Sequence, residues 1–208
     1  MPAVSTEPAP AARPEAGEVA PAATDWLRNT LIVHGPSAAV ASFRDVAAGS
    51  GVIPWQLDLE RLEEDWFLPM AGPADGVRAI SLAGARILAR RLREATAARH
   101  DRSLERLARG DRGCPLDLHR LLPVPPAVLQ LGPNDPASRA WLWTHWGTTR
   151  GLRHVRALPA RLDGRRKRAD ALAVEFWSAD WSPWRAVVRL RRDWPQLAFH
   201  LAPDYADG

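Results

Sequence analysis

The segment SRAWLWTHWGTTRG at residues 138–151 brings three tryptophans and one histidine together ahead of a hydroxyl-rich turn that ends in arginine. Indole rings stack on nucleic-acid bases as well as they fill a protein core, and a guanidinium binds phosphate through two parallel hydrogen bonds. On a helix, Trp141 shares a side with His145, and Leu142 shares a different side with Trp146, so the tryptophans cannot all point inward. We therefore expect Trp141 or Trp143 to lie at a partner surface.

Similar side chains recur later in the chain, in a basic stretch at residues 165–168 and in the segment FWSADWSP at 176–183. Aromatic rings interleaved with arginines are typical of surfaces that bind single-stranded nucleic acid. Such a surface also suits a protein partner, so the leading hypothesis is a non-catalytic binding module whose partner is a nucleic acid or another protein. The predicted binding surface comprises Trp143, His145, Trp146, Thr148, Arg150, Arg153, Arg165, Trp177 and Trp181.

A second hypothesis is an enzyme that acts on a phosphate-containing substrate, with His145 or His200 as the acid/base and Arg150 holding the anion. It requires a histidine, an arginine and a carboxylate to converge in one pocket, and the sequence assigns no catalytic residue. Asp180 and Ser182 are better explained as helix caps than as part of a nucleophilic site.

No metal or other cofactor is predicted. His145 and His154 are too far apart to share one helical turn. The lone Cys114 cannot hold an iron–sulfur cluster, which needs about four protein ligands. A single cysteine also excludes an internal disulfide, as expected of a cytoplasmic protein.

The chain has 208 residues, a formal net charge of +4 and 46% hydrophobic residues, which suits one well-buried domain. No stretch approaches the ~20 uninterrupted apolar residues of a membrane-spanning helix, so no membrane association is expected. Residues 1–24 are rich in Pro and Ala, lack the pattern of a secretory signal and are expected to form a disordered tail. The modest positive charge is compatible with a nucleic-acid partner but does not require one.

The elements that must position these side chains follow from hydrophobic periodicity. Apolar residues alternate at 172–176 and 197–201, which predicts half-buried strands, and short apolar runs predict further strands at 31–33, 116–118 and 151–158. Helices are predicted after the cap Ser37, between Asp135 and Gly147, and around Pro183. Two β-α-β halves around one antiparallel sheet favour an α+β, ferredoxin-like sandwich with both long helices on one face.

Residues 52–113 interrupt this pattern with a charged, mainly helical insertion, called the arm below. The first part of the arm is acidic and the second part is basic, and in the basic part Arg86, Arg90 and Arg93 recur at helical spacing. The arginine row folds back on the acidic part of the same arm, is simply a solvated helix face, or docks the protein on a larger complex. In the last case the arm is the functional part and the sandwich is its scaffold.

Four stretches in this order resemble the YubB ferredoxin-like domain family of phage and plasmid proteins. They are NTLIVHG at 29–35, WTHWGT at 143–148, FWSADWSP at 176–183 and the closing WPQLAFHLAPDYADG at 194–208. The resemblance covers residues 26–208, except for the arm, and departs from the family at Thr149 and Arg150, where members typically have Lys-Trp. It implies a ferredoxin-like domain at residues 25–208, interrupted at 52–113, with no cluster and no established activity.

Overall fold

The structure, a computed structural model, describes residues 25–72, 80–159 and 169–205. Four strands and seven helices are present in this part of the chain, and the fold is α+β. In chain order they are β1 (Trp26–Pro36), α1 (Ser37–Ala47), α2 (Leu59–Ala71), α3 (Leu82–Ala108), α4 (Leu118–Leu121), α5 (Pro126–Leu129), α6 (Pro136–Trp146), β2 (Arg153–Leu158), β3 (Ala169–Ala179), α7 (Trp184–Asp193) and β4 (Ala198–Asp204).

The strands form one sheet in the order β2-β3-β1-β4, and every neighbouring pair is antiparallel. Side chains alternate between the two faces of a strand, so the register decides which residues share a face. Leu31 lies opposite Val174 on one side and Leu201 on the other. All three are buried, as the alternation at 172–176 and 197–201 predicts.

Helices α1 and α7 both cover this apolar face. Phe43 of α1 and Leu190 of α7 belong to the same buried cluster as Leu31 and Val174. The Phe43 ring meets the rings of Trp194 and Phe199 edge-on, at centroid distances of 5.3 and 5.4 Å. The hydrophobic effect on this single face therefore determines where both helices lie.

A second core forms where α6 meets α7 and the loops before α6. It consists of the buried residues Leu118, Leu122, Val124, Leu142, Trp146 and Ala186. Helix α6 has the predicted ends: the Asp135 carboxylate accepts a hydrogen bond from the Ala137 N–H at 2.7 Å, and Gly147 follows with a φ of 84°. Only glycine adopts such a left-handed conformation without strain.

The local predictions at residues 116–118 and at Ser37 are wrong. No strand forms at 116–118, because Asp117 accepts a hydrogen bond from the Arg120 N–H at 3.1 Å and caps the short helix α4, which begins at Leu118. Ser37 does not cap α1, because it is already the first residue of that helix and follows Pro36.

The arm contains α2 and α3, which pack against each other. Its two ends are held together where Gly49 and Cys114 exchange backbone hydrogen bonds, both 2.9 Å long. In the part of the chain that the structure describes, no helix is long and apolar enough to cross a membrane.

Replacing Phe43 with alanine is expected to lower the free energy of unfolding by about 3–5 kcal/mol, because it leaves a cavity beneath both helices. Val46 lies on the same helix but is 43% exposed, so Val46→Ala is the matched control and should change stability by less than about 0.5 kcal/mol. Urea unfolding of the two variants measures the difference, and similar losses would contradict the proposed position of the core.

Candidate nucleic-acid interface

The face of the sheet opposite α1 and α7 is called the open face. It carries the alternate residues of each strand, which are exposed or only half-buried where their side chains are large. Its charged and aromatic residues include Trp26 and Arg28 of β1, Arg153 and Arg156 of β2, Glu175 and Trp177 of β3, and Asp204 of β4. This face is therefore rich in arginine and tryptophan, whereas the helix-covered face is almost entirely apolar.

Trp177 lies in the middle of a row that crosses three strands. Its register partner on β1 is Arg28, and its register partner on β2 is Arg153. Neighbouring strands lie about 4.8 Å apart, so a group stacked on the Trp177 ring is within reach of both guanidinium groups. The row combines an aromatic surface with positive charge on two sides.

The Arg153 guanidinium lies over the ring of Trp26, with its central carbon 3.9 Å from the ring centroid. A β-bulge between Arg153 and Arg156 shifts the register of β2, and His154 within it has a positive φ of 51°. A bulge re-aims the side chains beside it, which accounts for the position of Arg153 above the sheet.

The other arginines of this face already have carboxylate partners. Arg28 binds Asp204, and this hydrogen bond and the charge of Asp204 raise the pKa of Arg28. Arg156 donates to Glu175 at 2.7 Å. Among the described residues, no carboxylate lies within ion-pair distance of Arg153, so its charge is compensated only by the Trp26 ring.

A shallow hollow of about 530 Å³ lies on this face. Its lining includes Arg28, Arg156, Glu175 and Trp177. The hollow is open rather than enclosed and combines a tryptophan with charged side chains, which suits a flexible polyanion better than a small substrate that must be desolvated.

The predicted binding surface divides between this face and other parts of the fold. Trp177 and Arg153 lie on the open face, as just described. Arg150 is half-buried near its edge and donates hydrogen bonds to the carbonyl oxygen of Pro133 at 3.0 Å and to Asn134 Oδ1 at 2.8 Å. Arg165 lies outside the described residues.

Trp146 and Thr148 do not lie at a surface, so this prediction is wrong for both. Trp146 is 1% exposed in the second core, and its indole N–H donates to the carbonyl oxygen of Leu122 at 3.1 Å. Thr148 is fully buried; its hydroxyl donates to the Ala179 carbonyl at 2.8 Å and accepts from the Ala179 N–H at 3.0 Å. Both side chains hold the fold together.

The remaining members of the predicted surface lie on α6 and just after β3. His145 is exposed and stacks on Trp141, with ring centroids 4.4 Å apart. Burial, followed by the charges of Arg189 and Arg185, lowers the pKa of His145, which places it beside α7 and away from the open face. Trp143 is half-buried, and Trp181 is 49% exposed.

The turn that follows α6 forms hydrogen bonds with the FWSADWSP stretch at 176–183. The Thr149 hydroxyl donates to the Asp180 carboxylate, which also accepts from the Asp25 N–H at 3.0 Å. Ser182 donates to Asn29 Oδ1 at 2.5 Å. The prediction that Asp180 or Ser182 caps α7 is therefore wrong: Pro183 precedes that helix, and the two polar side chains fix the turns at this end of the sheet.

Two arginines of the arm, Arg86 and Arg93, contact α2. Arg93 forms an ion pair with Glu63 at 2.9 Å, and the Arg86 guanidinium lies 5.2 Å from the centre of the Phe67 ring. Arg90 lines the same groove between α2 and α3. Arg93 thus folds back on the acidic part of the arm, whereas Arg86 and Arg90 are exposed, so docking through this row stays a prediction.

The groups required by the enzyme hypothesis do not converge. His145 lies beside α7, Arg150 binds the loop before α6, and His200 lies on β4 opposite Ile32. Within the residues described, no group of three or more His, Cys, Asp or Glu side chains is arranged to hold a metal ion.

Sequence reasoning missed Trp26 and Arg28 as members of the site. Burial alternates along β1 from Arg28 onward, but residues 26–33 do not alternate between polar and apolar, so no sequence signal marked either residue. The buried Asn29 interrupts the apolar face of that strand and conceals the pattern.

Comparisons with known proteins give no match: no protein-family model, curated protein or solved structure matches this chain. The likeness to the YubB family therefore stays a prediction from the motifs. The geometry of the open face is the observation from which a function is inferred.

Replacing Gly147 with alanine is expected to destabilise the protein more than Gly110→Ala does. Both glycines have a positive φ, 84° and 70°, so an alanine is strained at either position by about 1 kcal/mol. A Cβ at Gly147 would also lie 3.3 Å from the backbone nitrogens of Trp184 and Arg185, whereas at Gly110 nothing lies within 4 Å. Urea unfolding measures both, and equal losses would contradict the close seating of this turn on α7.

Proposed function

We propose that this protein binds single-stranded nucleic acid on the open face of its sheet, without catalysing a reaction. The observation that carries the proposal is the row in which Trp177 lies between Arg28 and Arg153. A base would stack on the Trp177 ring, and the adjacent phosphate would meet the Arg153 guanidinium, whereas Arg28 on the other side is bound by Asp204.

The two kinds of contact have complementary roles. Stacking of a base on an aromatic ring contributes about 1–3 kcal/mol and tolerates any base, because every base has a π face. Phosphate contacts add affinity that weakens as salt rises, because binding releases counterions. Arg153 suits this role best, because its nearest neighbour on the open face is an aromatic ring and not a carboxylate.

The open face favours a single strand over a duplex and over a protein partner. The rings of Trp26 and Trp177 are half-buried in the sheet surface. Unstacked bases can reach such rings, but bases paired in a duplex cannot. The core of a stable protein interface is generally depleted of charged residues, whereas the lining of the hollow on this face includes Arg28, Arg156 and Glu175. Thr30 and Ile32, the neighbours of Arg28 on this face, are only half-buried and leave the surface accessible.

We also propose a fold family for this chain. We infer a ferredoxin-like sandwich because β1, α1 and β2 form one β-α-β unit and β3, α7 and β4 form another, with strands of the two units interleaved as β2-β3-β1-β4. The likeness to the YubB family is proposed on the same footing. It is supported by the mutual contacts of the stretches at 143–148 and 176–183, which carry the resemblance.

Replacing Trp177 with alanine is expected to weaken binding of a fluorescein-labelled oligothymidylate by about 10- to 100-fold at low salt, because the stacked base is lost. Trp177→Phe keeps an aromatic ring and should retain most of the affinity. Fluorescence anisotropy at several salt concentrations gives the dissociation constants, and thermal unfolding shows whether each variant is folded.

Arg153→Gln tests the charge, with Arg192→Gln as the control. Arg192 is exposed on α7, which covers the opposite face of the sheet. Loss of one phosphate contact should reduce the slope of log K against log salt by about 0.7 for Arg153→Gln. No binding by the wild-type protein at low salt, or an equal effect of the two arginine variants, would overturn the proposed function.

A further inference from the structure

We propose that Arg139, Arg150 and Arg153 form a phosphate-binding site at the edge of the open face, which holds a phosphate group of the bound strand. This inference rests on the proposed function and extends it, because Arg139 and Arg150 are not part of the row centred on Trp177. The ligand chemistry is a phosphate group, either a phosphodiester within the strand or a phosphate at its end.

The backbone brings the three arginines together from three elements. Arg139 lies in the first turn of α6, Arg150 lies in the turn after α6, and Arg153 is the first residue of β2. The turn between α6 and β2 is tied to the end of β3 through Thr148 and Ala179. Because this anchor is buried, the turn has little freedom, and Arg150 is held close to the start of β2.

Arg150 is oriented before any ligand binds. Its guanidinium donates through one nitrogen to the Pro133 carbonyl at 3.0 Å and to Asn134 Oδ1 at 2.8 Å. These two acceptors are uncharged, so they fix the guanidinium without neutralising it. Its other N–H groups are those that a phosphate oxygen would engage, with charge-assisted hydrogen bonds.

The electrostatics of the cluster favour an added anion. Burial, followed by the positive charges of Arg139 and Arg153, lowers the pKa of Arg150, and the charge of Asp180 has a smaller effect in the opposite direction. The Asp180 carboxylate is already engaged by Thr149 and by the Asp25 N–H. A phosphate among the three guanidinium groups would attract each of them and so offset the repulsion between them.

An unsatisfied donor nearby gives independent support. Trp143 follows Arg139 by one helical turn on the same side of α6, and its indole N–H is buried with no acceptor among the described residues. Such a buried donor costs about 1–3 kcal/mol, so proteins rarely leave one without a ligand or water partner. The Trp143 indole N–H is therefore a donor without a described acceptor, on the side of α6 that also carries Arg139.

The site is continuous with the open face through Arg153. This arginine lies over Trp26, belongs to the row of Trp177, and acts electrostatically on Arg150. A strand stacked on Trp177 can therefore pass over Arg153 and place its next phosphate among the three arginines. The inferred track runs from Trp177, near the end of β3, to the loop before α6.

The test is the salt dependence of binding for the double variant Arg139→Gln and Arg150→Gln, measured by anisotropy with an oligothymidylate of about 12 nucleotides. Loss of one phosphate contact predicts a slope of log K against log salt that is smaller by about 0.7. The control is the double variant Arg189→Gln and Arg192→Gln, which removes the same charge from the exposed side of α7 and should leave the slope within about 0.2 of wild type. Arg139→Lys with Arg150→Lys should restore the wild-type slope.

Oligonucleotides with a 5′-phosphate, a 3′-phosphate or no terminal phosphate distinguish the two sources of the phosphate group. Tighter wild-type binding of one phosphorylated form, lost in the glutamine double variant, assigns the site to a chain end; equal binding of all three assigns it to a phosphodiester. Should the glutamine double variant fail to fold, Arg139→Gln and Arg150→Gln are measured singly, and each is expected to lower the slope in part.

The outcomes separate this inference from the function on which it rests. If wild-type protein binds the oligonucleotide and the slope of the folded glutamine variants equals that of wild type, the phosphate site is overturned and binding on the open face stands. If wild-type protein does not bind at low salt, both proposals are overturned.

Discussion

The packing of α1 and α7 on one face of the sheet is the constraint on which the rest of the structure depends. Side chains alternate along each strand, so burying Leu31, Val174 and Leu201 beneath the helices turns the other half of every strand outward. The outward half of β1 and β3 carries Arg28 and Trp177, which face solvent because their neighbours in sequence are in the core. The arrangement of side chains on the open face, where we propose binding, is thus a consequence of the same register that builds the core.

A second constraint connects this face to the helices at its edge. The hydrogen bonds between Thr148 and Ala179, and between Thr149 and Asp180, fix the turn after α6 to the end of β3. Two residues of the WTHWGT motif therefore have a structural role, because Trp146 and Thr148 are both buried. Trp146 anchors α6 in the second core and lies outside the proposed binding surface.

Local periodicity was sufficient for much of the fold and for part of the site. The strands around Val174 and Leu201 and the helix between Asp135 and Gly147 follow from alternation and capping, which are local properties. The orientation of α6 does not, because it has aromatic residues on several sides and only its packing on α7 selects Trp146 as the buried one. The direction of Arg93 depends likewise on Glu63 of another helix, a contact that spacing along one helix cannot specify.

The most direct test of binding on the open face is to titrate ¹⁵N-labelled protein with an oligothymidylate and to follow the indole N–H signals by NMR, assigned by single Trp→Phe variants. Binding on the open face predicts that the indole signals of Trp26 and Trp177 shift as oligonucleotide is added. The signals of Trp146 in the second core and Trp66 in the arm should stay in place. Shifts confined to Trp66, or to the tryptophans of α6, with Trp177 unchanged, would contradict binding on the open face.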